Sequence, residues 1–165
     1  MFESSAQPIK IVISAMGGQG GGVLADWIRD VAEDNGYIAQ STSVPGVAQR
    51  TGATVYYLEI FSKEESDRVG KKPVLGLTPI PGDVDIVLAA ELVEAGRAVQ
   101  RRFVTPDKTA LIASTHRSYT IEEKQKQGNG LADSDKIIEG LKAASKDCIA
   151  FDMEALAKKN KSVIS

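Results

Sequence analysis

The sequence predicts an α/β domain of three layers, with a mostly parallel sheet and helices on both faces. Three observations predict it. Apolar β-branched runs alternate with stretches of helical periodicity along the chain. Several of those runs are continuously apolar, as in strands covered on both sides. The first run enters the first helix through a glycine turn, Gly17-Gly18-Gln19-Gly20-Gly21-Gly22. The 165 residues suit a single domain, and no internal repeat is present.

Ile9-Lys10-Ile11-Val12-Ile13-Ser14 reads as a buried strand. Each glycine of the turn that follows would cost about 1 kcal/mol relative to Ala inside a helix or strand. Such a run makes sense where a strand bends sharply into a helix and the backbone must come close to something. After it, Val23, Leu24, Trp27, Ile28, Val31 and Ala32 recur at helical spacing as the expected core stripe, Trp27 included. Asn35-Gly36 stops the helix. Residues 37–42 read as a second strand, which completes a βαβ unit. Residues 43–52 form a loop. Residues 54–61 are a strand whose direction is open, so a mixed sheet is the alternative to a parallel one.

Residues 62–72 carry both signs of charge and read as a solvated surface segment. Prolines and glycines make 73–83 an irregular connection. A strand at 85–90, a helix at 91–102 and a strand at 109–114 follow. Residues 115–129 have no clear assignment, and Gly128-Asn129-Gly130 breaks the chain. A helix at 134–145, a short buried strand at 148–151 and a helix at 153–159 capped by Asp152 complete the pattern. The last residues look like the start of a new apolar run, so the expectation is that the natural protein continues.

Composition excludes several functions. Hydrophobic residues are 42%, charged residues 25%, aromatic residues 5%, and the net charge is −2. Neither a field that attracts nucleic acid nor a base-stacking platform is expected. No apolar stretch reaches the ~20 residues of a membrane span, and no signal peptide is visible. With Cys148 as the only cysteine, this chain alone cannot build an iron–sulfur cluster, a four-cysteine zinc site or an internal disulfide. A cytoplasmic location is expected.

The glycine turn is the main candidate site. Amide N–H groups and a helix N-terminus aimed at one spot suit a phosphate or carboxylate. The strict dinucleotide spacing is absent, and the second strand ends in Gln40-Ser41-Thr42 without the acidic partner that NAD needs. No lysine follows as in an ATP-binding P-loop, and there is no G-x-S-x-G. His116, the only histidine, sits after a strand, as a proton-transfer candidate or a hydrogen-bonded surface residue. Arg50 is an anion-holding candidate or an interface residue. Cys148 is expected in the core.

The two loops together carry a resemblance. A strand, Gly17-Gly18-Gln19-Gly20-Gly21, and later Pro45-Gly46-Val47-Ala48-Gln49-Arg50-Thr51-Gly52 leading into a strand resemble the gamma domain of 2-oxoacid:ferredoxin (acceptor) oxidoreductases. Within that family the second loop is most similar to the indolepyruvate oxidoreductase beta subunit, with Thr51 where Gly is usual. Glu94-Ala95-Gly96-Arg97 and Thr115-His116-Arg117 resemble its long form. The resemblance implies oxidative decarboxylation of an aryl 2-oxoacid to an acyl-CoA. It implies that thiamine diphosphate and iron–sulfur clusters sit in a large partner subunit, with ferredoxin or another acceptor served through the complex. Gly128-Asn129-Gly130 lacks the metal-binding carboxylate of a thiamine site and is set aside, and the lack of a cluster-binding cysteine set in this chain agrees with that division. The chain alone would be inactive. Gly18, Gln19, Gly20 and Gly21 would form a cradle and Gln49 and Arg50 its second wall, with coenzyme A as the ligand the resemblance brings to the interface. The alternatives are a stand-alone module for a nucleotide or phosphorylated metabolite, and a structural interface domain whose glycines pack against a partner.

Overall fold

The structure is a computed structural model that describes residues 7–44, 53–117 and 133–162. Six strands form one sheet: β1 (Ile9–Met16), β2 (Tyr37–Val44), β3 (Ala53–Ser62), β4 (Ile86–Ala89), β5 (Ala110–Ser114) and β6 (Asp147–Phe151). The helices among the described residues are α1 (Gly21–Asp34), α2 (Lys63–Val69), α3 (Leu92–Gln100), α4 (Ser134–Ala144) and α5 (Met153–Lys159).

The strand order is β2-β3-β1-β4-β5-β6. The β1–β4, β4–β5 and β5–β6 pairs are parallel. β3 lies antiparallel to both β1 and β2, so the sheet is mixed. The βαβ unit is therefore split. β1 and β2 run the same way, but β3 pairs with both and stands between them.

Period-two alternation sends β1 into two cores. Ile11 and Ile13 join Leu58, Ile60, Ala25 and Ala32 on the α1 face. Val12 joins Tyr57, Val87, Leu92, Ala95, Leu111 and Leu141 on the face of α3 and α4. Helices thus cover both faces, as expected. α3 forms despite Gly96, with the buried Glu91 carboxylate accepting from the amides of Val93 and Glu94 at its N-terminus. At the start of α5, Asp152 accepts from Ala155 N–H at 2.9 Å, the cap the sequence indicated.

Three elements differ from expectation. Residues 62–72 are largely exposed, as expected of a solvated surface segment, but they also form a helix, α2, that the charge pattern did not indicate. Ser62 Oγ accepts from Glu65 N–H and Gly70 closes the helix at φ 69°. On α1 the buried positions are Gly21, Ala25 and Ala32, with Ile28 partly buried, and Trp27 is 61% exposed rather than core. Small residues let the helix lie close to the sheet, which turns its bulky side outward. β6 is not buried. It is an edge strand paired with β5 alone, and Ile149 is 59% exposed. Cys148, on its other face, packs partly buried against the core.

Below the sheet, at the start of β1 and β4, Lys10 and Lys108 both donate to Asp83, Lys108 at 2.5 Å. The Lys10 amide donates to Asp85 at 2.8 Å. The Lys10 bond, then the Lys108 bond, holds the Asp83 carboxyl below its ordinary value of 3.8. A depressed carboxyl contributes stability above its unfolded pKa and loses it as pH falls through the folded one. Asp83→Asn should therefore lower the melting temperature at neutral pH and flatten the acid limb below about pH 4. Thermal melts of both proteins across pH 2–7 would check this, and parallel acid limbs would refute it.

Candidate functional site

The glycine turn owes its shape to two hydrogen bonds between Met16 and Gln19. Gln19 N–H donates to the Met16 carbonyl at 3.1 Å, and Gln19 Oε1 accepts from Met16 N–H at 2.8 Å. Gly18 and Gly20 adopt φ of 89° and 71°, which side-chain-bearing residues reach only with strain. Gly20 stands at the N-cap of α1 and offers no side-chain acceptor, and no acidic residue occupies the first turn. The partial positive charge of the helix start is therefore not offset by a side-chain cap or by an acidic residue of its own first turn.

Gly21 and Gly22 serve packing. A Cβ at Gly21 would lie 2.6 Å from Ala15 Cβ and 2.8 Å from Tyr56 Cε2. At Gly22 the Tyr56 ring would be 3.3 Å away. The last glycines of the turn thus let α1 press onto β1 and β3, while the earlier ones shape the turn itself.

Above this turn lies a cleft of about 520 Å³. It sits at the carboxyl ends of β1, β4 and β5, marked by Met16 and Gly17, by Ala90 and by His116. β1 sends its connection toward β2 and β3, while β4 continues toward β5 and β6. The cleft therefore stands where the strand order reverses, the place where open α/β sheets bind ligands. Val23, Leu24 and Trp27 of α1 form one apolar wall. Met153 and Ala157 of α5 form the other, with Glu154 between them and Ser162 beyond.

His116 Nδ1 pairs with Glu154, and Lys158 Nζ pairs with the other oxygen of the same carboxylate. That contact pushes the Lys158 ammonium above its ordinary value. The His116 carbonyl accepts from Leu92 N–H at 2.9 Å, which ties the residue to the start of α3. His116 is thus a hydrogen-bonded residue of the cleft wall. The arrangement offers apolar walls, backbone donors and a helix start at one end, and a carboxylate–imidazole–ammonium group at the other. It suits binding of an elongated ligand with apolar and anionic parts.

Of the residues singled out from the sequence, Gln19 and Gly20 line the cleft, Gly18 shapes the turn beside it, and Gly21 is buried in the first turn of α1. Gln49 and Arg50 lie outside the described residues, as does Gly128-Asn129-Gly130. The residues flanking the Gln49-Arg50 loop end at the same sheet edge as the glycine turn, since Ala53 pairs with Met16. Sequence reasoning missed Trp27, Met153 and Glu154 as wall residues. Nothing in a local pattern marks a glutamate on a late helix as the partner of a histidine from another strand.

The model of the pyruvate ferredoxin/flavodoxin oxidoreductase family matches residues 10–165. The chain belongs to this family. Solved structures agree in fold. Subunit PORC of pyruvate oxidoreductase from Thermotoga maritima matches at a TM-score of 0.57 and 13% identity, over 96% of this chain and 70% of that one. The gamma subunit of keto/oxoacid ferredoxin oxidoreductase from Geobacter sulfurreducens matches at 0.55 and 16%, over 94% and 69%. The 2-oxoglutarate:ferredoxin oxidoreductase from Magnetococcus marinus, solved with 2-oxoglutarate, coenzyme A and succinyl-CoA bound, matches at 0.57 and 14%. There the match covers 96% of this chain and only 22% of that longer one. No curated protein sequence matches the chain.

The packing role of Gly21 is testable against Gly17, around which a Cβ would meet nothing within 4 Å. Gly21→Ala should destabilise the domain by about 1–3 kcal/mol, the usual cost of overpacking. Gly17→Ala should change stability by less than about 0.5 kcal/mol. Urea unfolding of both variants measures the difference, and equal midpoints would contradict the packing role.

Proposed function

We propose that this chain is the gamma-type subunit or domain of a 2-oxoacid:acceptor oxidoreductase complex. In this reading the complex decarboxylates an aryl 2-oxoacid such as indolepyruvate and transfers the acyl group to coenzyme A. Thiamine diphosphate and iron–sulfur clusters belong to a large partner subunit, which passes electrons to ferredoxin or another acceptor. Family membership supports the reaction class, and the glycine turn with the Ala48-Gln49-Arg50 loop supports the indolepyruvate branch. A cytoplasmic location goes with this reading.

The observation that carries a role for this chain is the cleft itself, with an uncapped helix start beside apolar walls. Coenzyme A fits that chemistry. A phosphate would meet the amides at the head of α1, and Trp27 would offer its face to the adenine. Gln49 and Arg50 would close the site from the neighbouring loop. Coenzyme A supplies the thiol that accepts the acyl group; this chain's part is to hold and orient the carrier, without a catalytic residue of its own.

The test uses the assembled complex. Trp27→Ala should raise the KM for coenzyme A about tenfold or more, with kcat for 2-oxoacid oxidation nearly unchanged. An unchanged KM would remove the cleft from the coenzyme A path. Turnover with indolepyruvate, phenylpyruvate, pyruvate and 2-oxoglutarate decides the substrate. Turnover by the isolated chain would end the reading. Tight calorimetric binding of ATP or NAD to the isolated chain would favour the stand-alone nucleotide module instead.

A further inference from the structure

The described helices differ in how the sheet holds them. α1, α2, α3 and α4 each bury at least one residue, and α5 buries none. No residue of α5 joins either core, and Leu156 is half exposed. Yet α5 supplies Met153, Glu154 and Ala157 to the cleft. One wall of the cleft therefore stands on a helix that apolar packing does not fix. Segments with few buried contacts open at low cost.

Among the described residues, two polar contacts reach α5 from other elements, both in its first turn. Buried Ser114, the last residue of β5, accepts from Met153 N–H through Oγ at 3.3 Å. The same Oγ accepts from His116 N–H at 3.2 Å, so one hydroxyl ties the start of α5 to the segment that carries His116. The second contact is the imidazole of His116 on the Glu154 carboxylate, made through Nδ1. His116 itself is well anchored, since its carbonyl accepts from Leu92 N–H at 2.9 Å. Lys158, one turn along α5, braces the other oxygen of Glu154 from within the helix. An anchored residue thus grips a loosely held helix beside Met153. Facing a carboxylate, Nδ1 is the donor, so the grip holds whether the ring is neutral or charged.

We infer that His116 is a positioning residue of the cleft: through Nδ1 and Glu154 it sets the α5 wall, which closes on the bound ligand. The inference rests on the proposed function for the identity of that ligand, coenzyme A. The pair is partly exposed, so its hold changes the closing equilibrium a few-fold rather than by orders of magnitude. A ligand in the cleft supplies Met153 and Ala157 with apolar contacts that the two cores do not give them. Ligand and wall therefore order each other, and a looser wall appears as weaker binding. Because His116 acts on how the carrier is held, its loss is read in KM rather than kcat.

The experiment uses the assembled complex and reads steady-state kinetics with coenzyme A together with amide exchange of α5. His116→Ala should raise the KM for coenzyme A about three- to fivefold with kcat nearly unchanged, and speed exchange of the α5 amides by a similar factor. Exchange in β1 and β4 should stay at the parent rate. Two conservative variants separate positioning from direct contact. Asn carries its N–H donor near the place of Nδ1, and Gln near the place of Nε2. His116→Asn should therefore keep KM and α5 exchange close to those of the parent, and His116→Gln should behave as His116→Ala. The reverse order would overturn the inference and make Nε2 a ligand contact. Glu154→Ala should match His116→Ala, and the double variant should be no worse than either alone. Additive effects would overturn the coupling. Faster exchange with an unchanged KM would leave the pair a structural tie and overturn the positioning role. Trp27→Ala, on the opposite wall, controls for the site itself. If it leaves the KM unchanged, the coenzyme A reading falls, and this inference with it. If it raises the KM while His116→Ala changes neither KM nor exchange, only the positioning role is overturned.

Discussion

The contact between Gly21 and the pair Ala15 and Tyr56 sets most of the upper half of the molecule. With no Cβ at position 21, α1 can lie against β1 and β3 closely enough for Ala25 and Ala32 to bury on the same stripe. That stripe is made of small residues, so the larger ones point away from the sheet. Val23, Leu24 and Trp27 then stand free to wall a cleft. The same approach aims the start of α1 at the sheet's carboxyl edge. A single close packing contact thus sets helix height, helix rotation and the direction of the helix dipole.

The opposite end of the sheet is organised by charge. Lys10 and Glu59 are neighbours on β1 and β3, both buried, and each has a partner on the connection between α2 and β4. Asp83 and Asp85 receive Lys10 and Lys108, while Glu59 receives Tyr57 and Gly76. Buried charges of this kind are costly without partners. Here the partners fasten the connection between α2 and β4 to the sheet. The polar network makes that connection a rigid strap.

Much of the architecture was legible in the sequence. β1, β3, β4 and β5 are apolar runs of strand length, and Asn35-Gly36 and Asp152 mark helix ends by local chemistry. α2 was legible too. Ser62-Lys63-Glu64-Glu65 has the Ser-x-x-Glu spacing of a helix start, but its high charge masked the signal. The rotation of α1 was not legible. Val23, Trp27 and Val31 mimic a core stripe by periodicity, and the competing stripe of Gly21, Ala25, Ile28 and Ala32 looks weak to any hydrophobicity argument. Steric clearance, not hydrophobicity, decided between them. The exposure of β6 was likewise hidden, because an edge strand with an apolar sequence reads like a central one.

By itself the sequence determined the alternation of strands and helices, the position of the sharp glycine turn and the family motifs, because these depend on residues adjacent in the chain. Tertiary structure decided the insertion of β3 between β1 and β2, the outward face of α1, and the meeting of His116 with Glu154. It also decided that Gly76 would rest on Glu59. Each of these joins groups from separate elements, and only the packing of the sheet brings them within reach of one another.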